Sequence, residues 1–222
     1  MPIYNARLTE IDPKETRRYA GLAKAADFDE KMVTDACTDA LLLAEPRGIW
    51  QEYEYDEKTC TVKSDPPFHI EGEKIAAHLA GCERVVVLAC TVGDGIEDEV
   101  TKEFRDGKYV HSVLLDAAAT TAVEQIADMI ELDVKPRAKA KGYSMKWRFS
   151  PGYGDWPLAQ QPELIRVTHA AEIGVALSDA LMLVPRKSVT AIIGLIREQR
   201  HDHSPNGCAA CTNYDCPMRN TK

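Results

Sequence analysis

Tyr143-Ser-Met-Lys-Trp-Arg-Phe149 leads without a break into Ser150-Pro-Gly-Tyr-Gly-Asp-Trp-Pro157. The first seven residues alternate apolar and polar, so Tyr143, Met145, Trp147 and Phe149 are expected on one face of a strand and Ser144, Lys146 and Arg148 on the other. Two glycines and two prolines then fix a non-repetitive backbone path, and Gly152 lets a ligand come close to the main chain. Arg148 ends the polar face with a planar donor fork suited to a carboxylate or a phosphate. Tyr153 and Trp156 offer faces for a flat ring or a cation. On residue types alone, a ligand-gripping bend and a structural turn with a surface arginine are equally good readings.

Working outward, residues 159–177 read as helical beyond Pro162, and Leu181 to Leu195 reads as two strands around a Pro-Arg-Lys turn. Ser112 to Leu132 is an alanine-rich helix, whose small residues let another helix or a ligand approach. Arg84-Val-Val-Val-Leu-Ala-Cys90 is a buried strand. A short helix over Glu71 to Ala80, stopped at Gly81, precedes it, and the loop Thr91 to Gly95 carries it into an acidic helix. Gly48 to Val62 gives two strands joined by a turn, and Asp29 to Glu45 gives a helix ended by Pro46 and Gly48. Strands and helices alternate, but the hairpin-like pairs point to an α+β fold, a mixed or antiparallel twisted sheet with flanking helices.

The chain has 222 residues, 45% of them hydrophobic, which is enough for one large domain or two small ones with a real core. Its net charge of −8 opposes the phosphate neutralisation on which nucleic-acid binders depend, so DNA and RNA are not expected partners. The opening MPIYNARLTEIDPKETRR carries charges and a proline where a secretory signal needs an apolar run. The longest strongly apolar stretch, Val85 to Cys90, is too short to span a bilayer. A cytoplasmic protein without a membrane span is expected.

Arg148-Phe-Ser-Pro-Gly152-Tyr153 is an Arg-x-x-x-Gly-Tyr motif, and Met182-Leu-Val-Pro185-Arg-Lys-Ser188-Val189 follows it as Met-x-x-Pro-x-x-Ser-Val. In that order the two resemble the reactivation domain of cobalamin-dependent methionine synthase, which binds S-adenosylmethionine (AdoMet). The resemblance covers residues 110–196 and stops by about 200. It implies an activation-domain-like fold over residues 1–200, with Arg148 on the carboxylate of AdoMet, Ser150 and Gly152 presenting backbone groups, and Tyr153 flanking the ligand. Glu124 falls where the family has a helical glutamate near the ligand; as a bare residue it reads equally as a solvated helix charge. Two features depart from the family. Its aspartate-tryptophan segment near the domain start has no counterpart, and the acidic residue six positions before the motif arginine is Gly142.

Residues 201–222 form a cysteine-rich tail. Cys208-Ala-Ala-Cys211 followed by Cys216 can place three thiolates on one metal, with His201, His203, a distant cysteine or an exogenous group as the fourth ligand. An iron–sulfur cluster and zinc both suit that donor set, and a tail of reactive thiols is the plainer alternative. Gly93-Asp-Gly95 lacks the third glycine of a dinucleotide fingerprint and reads as the turn into a helix. His69, His78, His111 and His169 have no partner at metal-ligand spacing and read as structural or surface residues.

The resemblance implies reductive reactivation of a partner protein. On that resemblance AdoMet would be the methyl donor that remethylates cob(II)alamin, and the cobalamin is expected on a separate corrinoid-binding protein or methyltransferase, since no cobalamin-binding module is read in the given sequence. The tail adds the expectation of an electron delivered through Cys208, Cys211 and Cys216. A different class stays open: a non-catalytic module that docks on a corrinoid protein, with a zinc-stabilised tail. A conventional AdoMet methyltransferase is disfavoured, since no glycine-rich strand-to-helix loop of the usual kind is present.

Overall fold

The unbroken apolar run from Val85 is buried on both faces, as an interior strand requires. The computed structural model describes residues 4, 5, 7–25 and 27–198. In chain order the elements are helices α1 (Pro13–Tyr19) and α2 (Glu30–Leu43), strands β1 (Arg47–Asp56), β2 (Thr61–Val62) and β3 (Phe68–His69), helix α3 (Glu73–His78) and strand β4 (Cys82–Thr91). Helices α4 (Gly95–Arg105) and α5 (Tyr109–Ala140), strand β5 (Tyr143–Met145), helix α6 (Gln161–Thr168), and strands β6 (Ala176–Leu177), β7 (Leu183–Val184) and β8 (Ser188–Arg197) follow. The result is an α+β fold. Its six-stranded sheet has the order β3-β2-β1-β4-β8-β5, with antiparallel pairing of β1 with β2, β2 with β3 and β5 with β8. Strands β6 and β7 form a separate antiparallel pair.

The chain divides into two compact units. The first takes the described residues of Met1–Ile49, Ala89–Ile130 and Ala170–Val189. Its α2 starts where Asp29 accepts a hydrogen bond from the Lys31 backbone, and it buries Val33, Ala36, Cys37 and Ala40 at helical spacing. Thr16 of α1 is fully buried; its hydroxyl meets that of Thr121 at 3.1 Å and the Cys37 thiol at 3.3 Å. The second unit takes the described residues of Trp50–Leu88, Glu131–His169 and Thr190–Lys222. Phe68, Ile75, Leu79, Val85, Trp156 and Leu164 are at the centre of its core.

Several boundaries differ from the sequence reading. Helix α5 runs to Ala140, through Pro136, rather than ending at Leu132. The stripe of Ile126 and Ile130 continues in Val134 and Ala138, both buried, at the same four-residue step. Helix α6 stops at Thr168 instead of reaching residue 177, because His169 takes the left-handed conformation (φ 59°) as its C-cap. Strands β7 and β8 do not pair around the Pro-Arg-Lys turn: β8 lies between β4 and β5, so both of its edges are taken, and β7 pairs with β6.

Candidate functional site

The alternating segment forms a strand only over Tyr143–Met145. Tyr143 faces Arg197, Ser144 faces Ile196 and Met145 faces Leu195. The Lys146 N–H still donates to the Gly194 carbonyl at 2.8 Å, and Phe149 then exchanges bonds of 2.9 and 2.8 Å with Ile192. Trp147 and Arg148 together therefore stand against the single Ile193, a β-bulge that ends the regular alternation. His78, at the end of α3, holds the bulge from below. Its Nε2 donates to the Trp147 carbonyl at 2.9 Å, and its ring lies 4.3 Å from that of Trp147 and 5.5 Å from that of Phe149. Burial pushes the imidazole below its ordinary pKa, against the opposing pull of the Trp147 carbonyl.

From the bulge, the Arg148 guanidinium reaches Glu131 on the C-terminal part of α5, with Nη1 to Oε1 at 2.5 Å. Both side chains are about a quarter exposed, at 23% and 27%, so the pair is open to solvent on one side. The other oxygen of Glu131, Oε2, accepts no hydrogen bond among the described residues. Sequence reasoning missed Glu131. Its only signal was a position seven residues after Glu124 in one helix.

The bend after Phe149 is built from its own backbone. The Gly152 N–H donates to the Trp156 carbonyl at 2.9 Å, Tyr153 N–H to Ser150 at 3.2 Å, and Trp156 N–H to Tyr153 at 3.0 Å. Gly152 has φ +89°, which favours glycine, and a Cβ there would meet nothing nearer than Leu158 Cδ1 at 3.8 Å. Trp156 anchors the bend: it is 1% exposed, and its indole N–H donates to Gln160 Oε1 at 2.7 Å. Gln160 in turn bonds the backbone of Glu71 and His69. Asp155 accepts from the Lys74 N–H with both oxygens at 3.0 Å, and those backbone contacts hold its carboxyl below the usual range. Outward from this frame, Tyr153 is 68% exposed. The Ser150 N–H and the Gly152 carbonyl make no hydrogen bond among the described residues.

The structure thus collects Arg148, Ser150, Gly152 and Tyr153 at one bend of the second unit. Glu124 belongs to the first unit, half-buried on α5, where its charge helps burial raise the pKa of Tyr19. The tail with Cys208, Cys211 and Cys216 lies outside the described residues. Among the described residues no three His, Cys, Asp or Glu side chains are placed to hold a metal ion, and Cys37, Cys60, Cys82 and Cys90 form no disulfide. His111 serves the first unit structurally, with Nδ1 2.6 Å from Glu103 and Nε2 3.2 Å from Asp39. An open hollow of about 440 Å³ beside Tyr55, Lys58, Lys63 and Glu83 shares no residue with the bend. No described helix is long and apolar enough to cross a membrane.

No protein-family model matches this chain. No curated protein sequence matches it either. Among solved structures it is similar to the crystal structure of the MetH reactivation domain bound to AdoHcy, with a TM-score of 0.59 and 14% sequence identity over 91% of this chain and 81% of that one. At that identity the likeness is one of fold: the α+β architecture of the methionine synthase reactivation domain.

Proposed function

We propose that this protein binds AdoMet at the Arg148–Tyr153 bend and presents its methyl group to a corrinoid held by a separate protein, returning an oxidised corrinoid to its methylated form. The observation that carries the reading is the bend itself. In a fold shared with a domain solved in complex with AdoHcy, a bulge sets a partly exposed guanidinium close in sequence to a Ser150 N–H that makes no hydrogen bond among the described residues, a glycine without side chain and an exposed tyrosine. In this reading Arg148 takes the ligand's carboxylate, a charge-assisted contact worth about 1.5–3 kcal/mol. Gly152 keeps the approach clear of a side chain, and the Tyr153 ring covers the ligand and removes apolar surface from water. AdoMet gives up its methyl group to the partner's one-electron-reduced corrinoid and leaves as S-adenosylhomocysteine. This chain's part is position, because holding two reactants in line lowers the barrier by several kcal/mol without chemistry of its own. Cys208, Cys211 and Cys216, which lie outside the described residues, would hold an iron–sulfur cluster able to supply the electron.

Calorimetric titration with AdoMet tests the ligand assignment. The full chain is expected to bind, and Arg148→Ala to weaken binding about 10- to 100-fold, as the loss of one charge-assisted pair implies. No heat at millimolar AdoMet overturns it and leaves the docking module as the better account of the fold.

A further inference from the structure

Arg148 does not stand at the bulge as a lone cation: an acidic side chain reaches it across 2.5 Å, and one oxygen of that acid has no hydrogen-bond partner among the described residues. A ligand offering only a carboxylate to Arg148 would bring a negative charge up against Glu131, and like charges that close raise the energy of the complex. A ligand whose carboxylate and ammonium sit on one carbon meets no such conflict, because its anion faces the guanidinium while its cation faces the glutamate. A pair about a quarter exposed, with solvent on one side, is where such complementarity selects among ligands rather than merely adding affinity.

We infer that Glu131 is a specificity-determining residue that accepts the α-ammonium of the ligand at Oε2, so that the Arg148–Glu131 pair reads an amino-acid zwitterion rather than a carboxylate. The inference rests on the AdoMet reading above and assigns the part of that ligand which the bend alone leaves unread. Glu131 also holds Arg148 through Oε1, so the same side chain orients the guanidinium and recognises its neighbour charge.

The test compares AdoMet with an analogue in which the amino group is replaced by hydrogen, by calorimetry on the full chain and on Glu131→Gln. The amide keeps the size and an oxygen for Arg148 but loses the negative charge. The unmodified protein is expected to prefer AdoMet over the analogue at least tenfold. In Glu131→Gln that preference falls to within about twofold, mostly through weaker AdoMet binding. Equal affinity for both ligands in the unmodified protein overturns the inference without any variant and leaves the AdoMet reading standing. A preference that survives undiminished in Glu131→Gln overturns it as well. A protein that binds neither ligand removes both this inference and the reading on which it rests.

Discussion

The imidazole of His78 is pulled two ways: burial disfavours its charged form, while the Trp147 carbonyl favours it, and burial prevails. The folded state therefore protonates this ring below the ordinary value of 6.5. Above that value the ring is neutral in both states and has no pH effect on stability. As pH falls through it, the unfolded chain takes up the proton first, and stability declines until the folded ring titrates too. The loss is up to about 1.4 kcal/mol per pH unit within that window. Between pH 7 and pH 5 the thermal unfolding midpoint of the natural protein is expected to fall further than that of His78→Gln, whose amide still donates to the carbonyl but carries no titrating charge. Parallel midpoints across that range would show that His78 does not couple the bulge to pH.

In the sheet, β8 lies beside β4 with little room to spare at Gly194. A methyl group on Gly194 would lie 2.6 Å from the Cys82 sulfur and 3.1 Å from Leu79 Cδ2, and Cys82 and Leu79 are both buried. Gly194→Ala is expected to cost about 1–3 kcal/mol by overpacking, and the same change in a Cys82→Ala background is expected to cost clearly less, because the sulfur is gone. Urea unfolding of the four proteins decides it; equal costs in both backgrounds would place the strain elsewhere. Contacts of this kind also mark the limit of what the sequence tells. The strand β4, the helix α2 and the β1–β2 hairpin were legible because each is written in local pattern: an apolar run, a capped amphipathic repeat, two half-buried runs around Asp56-Glu57-Lys58. The bulge at Trp147–Arg148 was not, since it exists only in register with Ile193, far along the chain. Nor was the partner of β7, which the filled edges of β8 decide. The bend was legible in its glycines and prolines, whereas Glu131 became visible only when the long helix placed it at Arg148.

For the whole chain, the proposed AdoMet site at residues 148–153 and the proposed thiolate ligands Cys208, Cys211 and Cys216 lie far apart in sequence. Under the proposed function the two serve one reaction as methyl source and electron source, so each is separable by substitution. Thiolate ligation needs Cys208, Cys211 and Cys216 together, so replacing all three by serine is expected to empty the metal site while AdoMet binding stays within about twofold of the natural chain. Elemental analysis of protein purified without oxygen measures the first, and calorimetry the second. Iron with sulfide, seen also as visible charge-transfer absorbance and a reducible paramagnetic signal, supports the electron route. Colourless protein carrying zinc alone removes that route and leaves methyl placement as this chain's contribution, with the electron arriving from elsewhere.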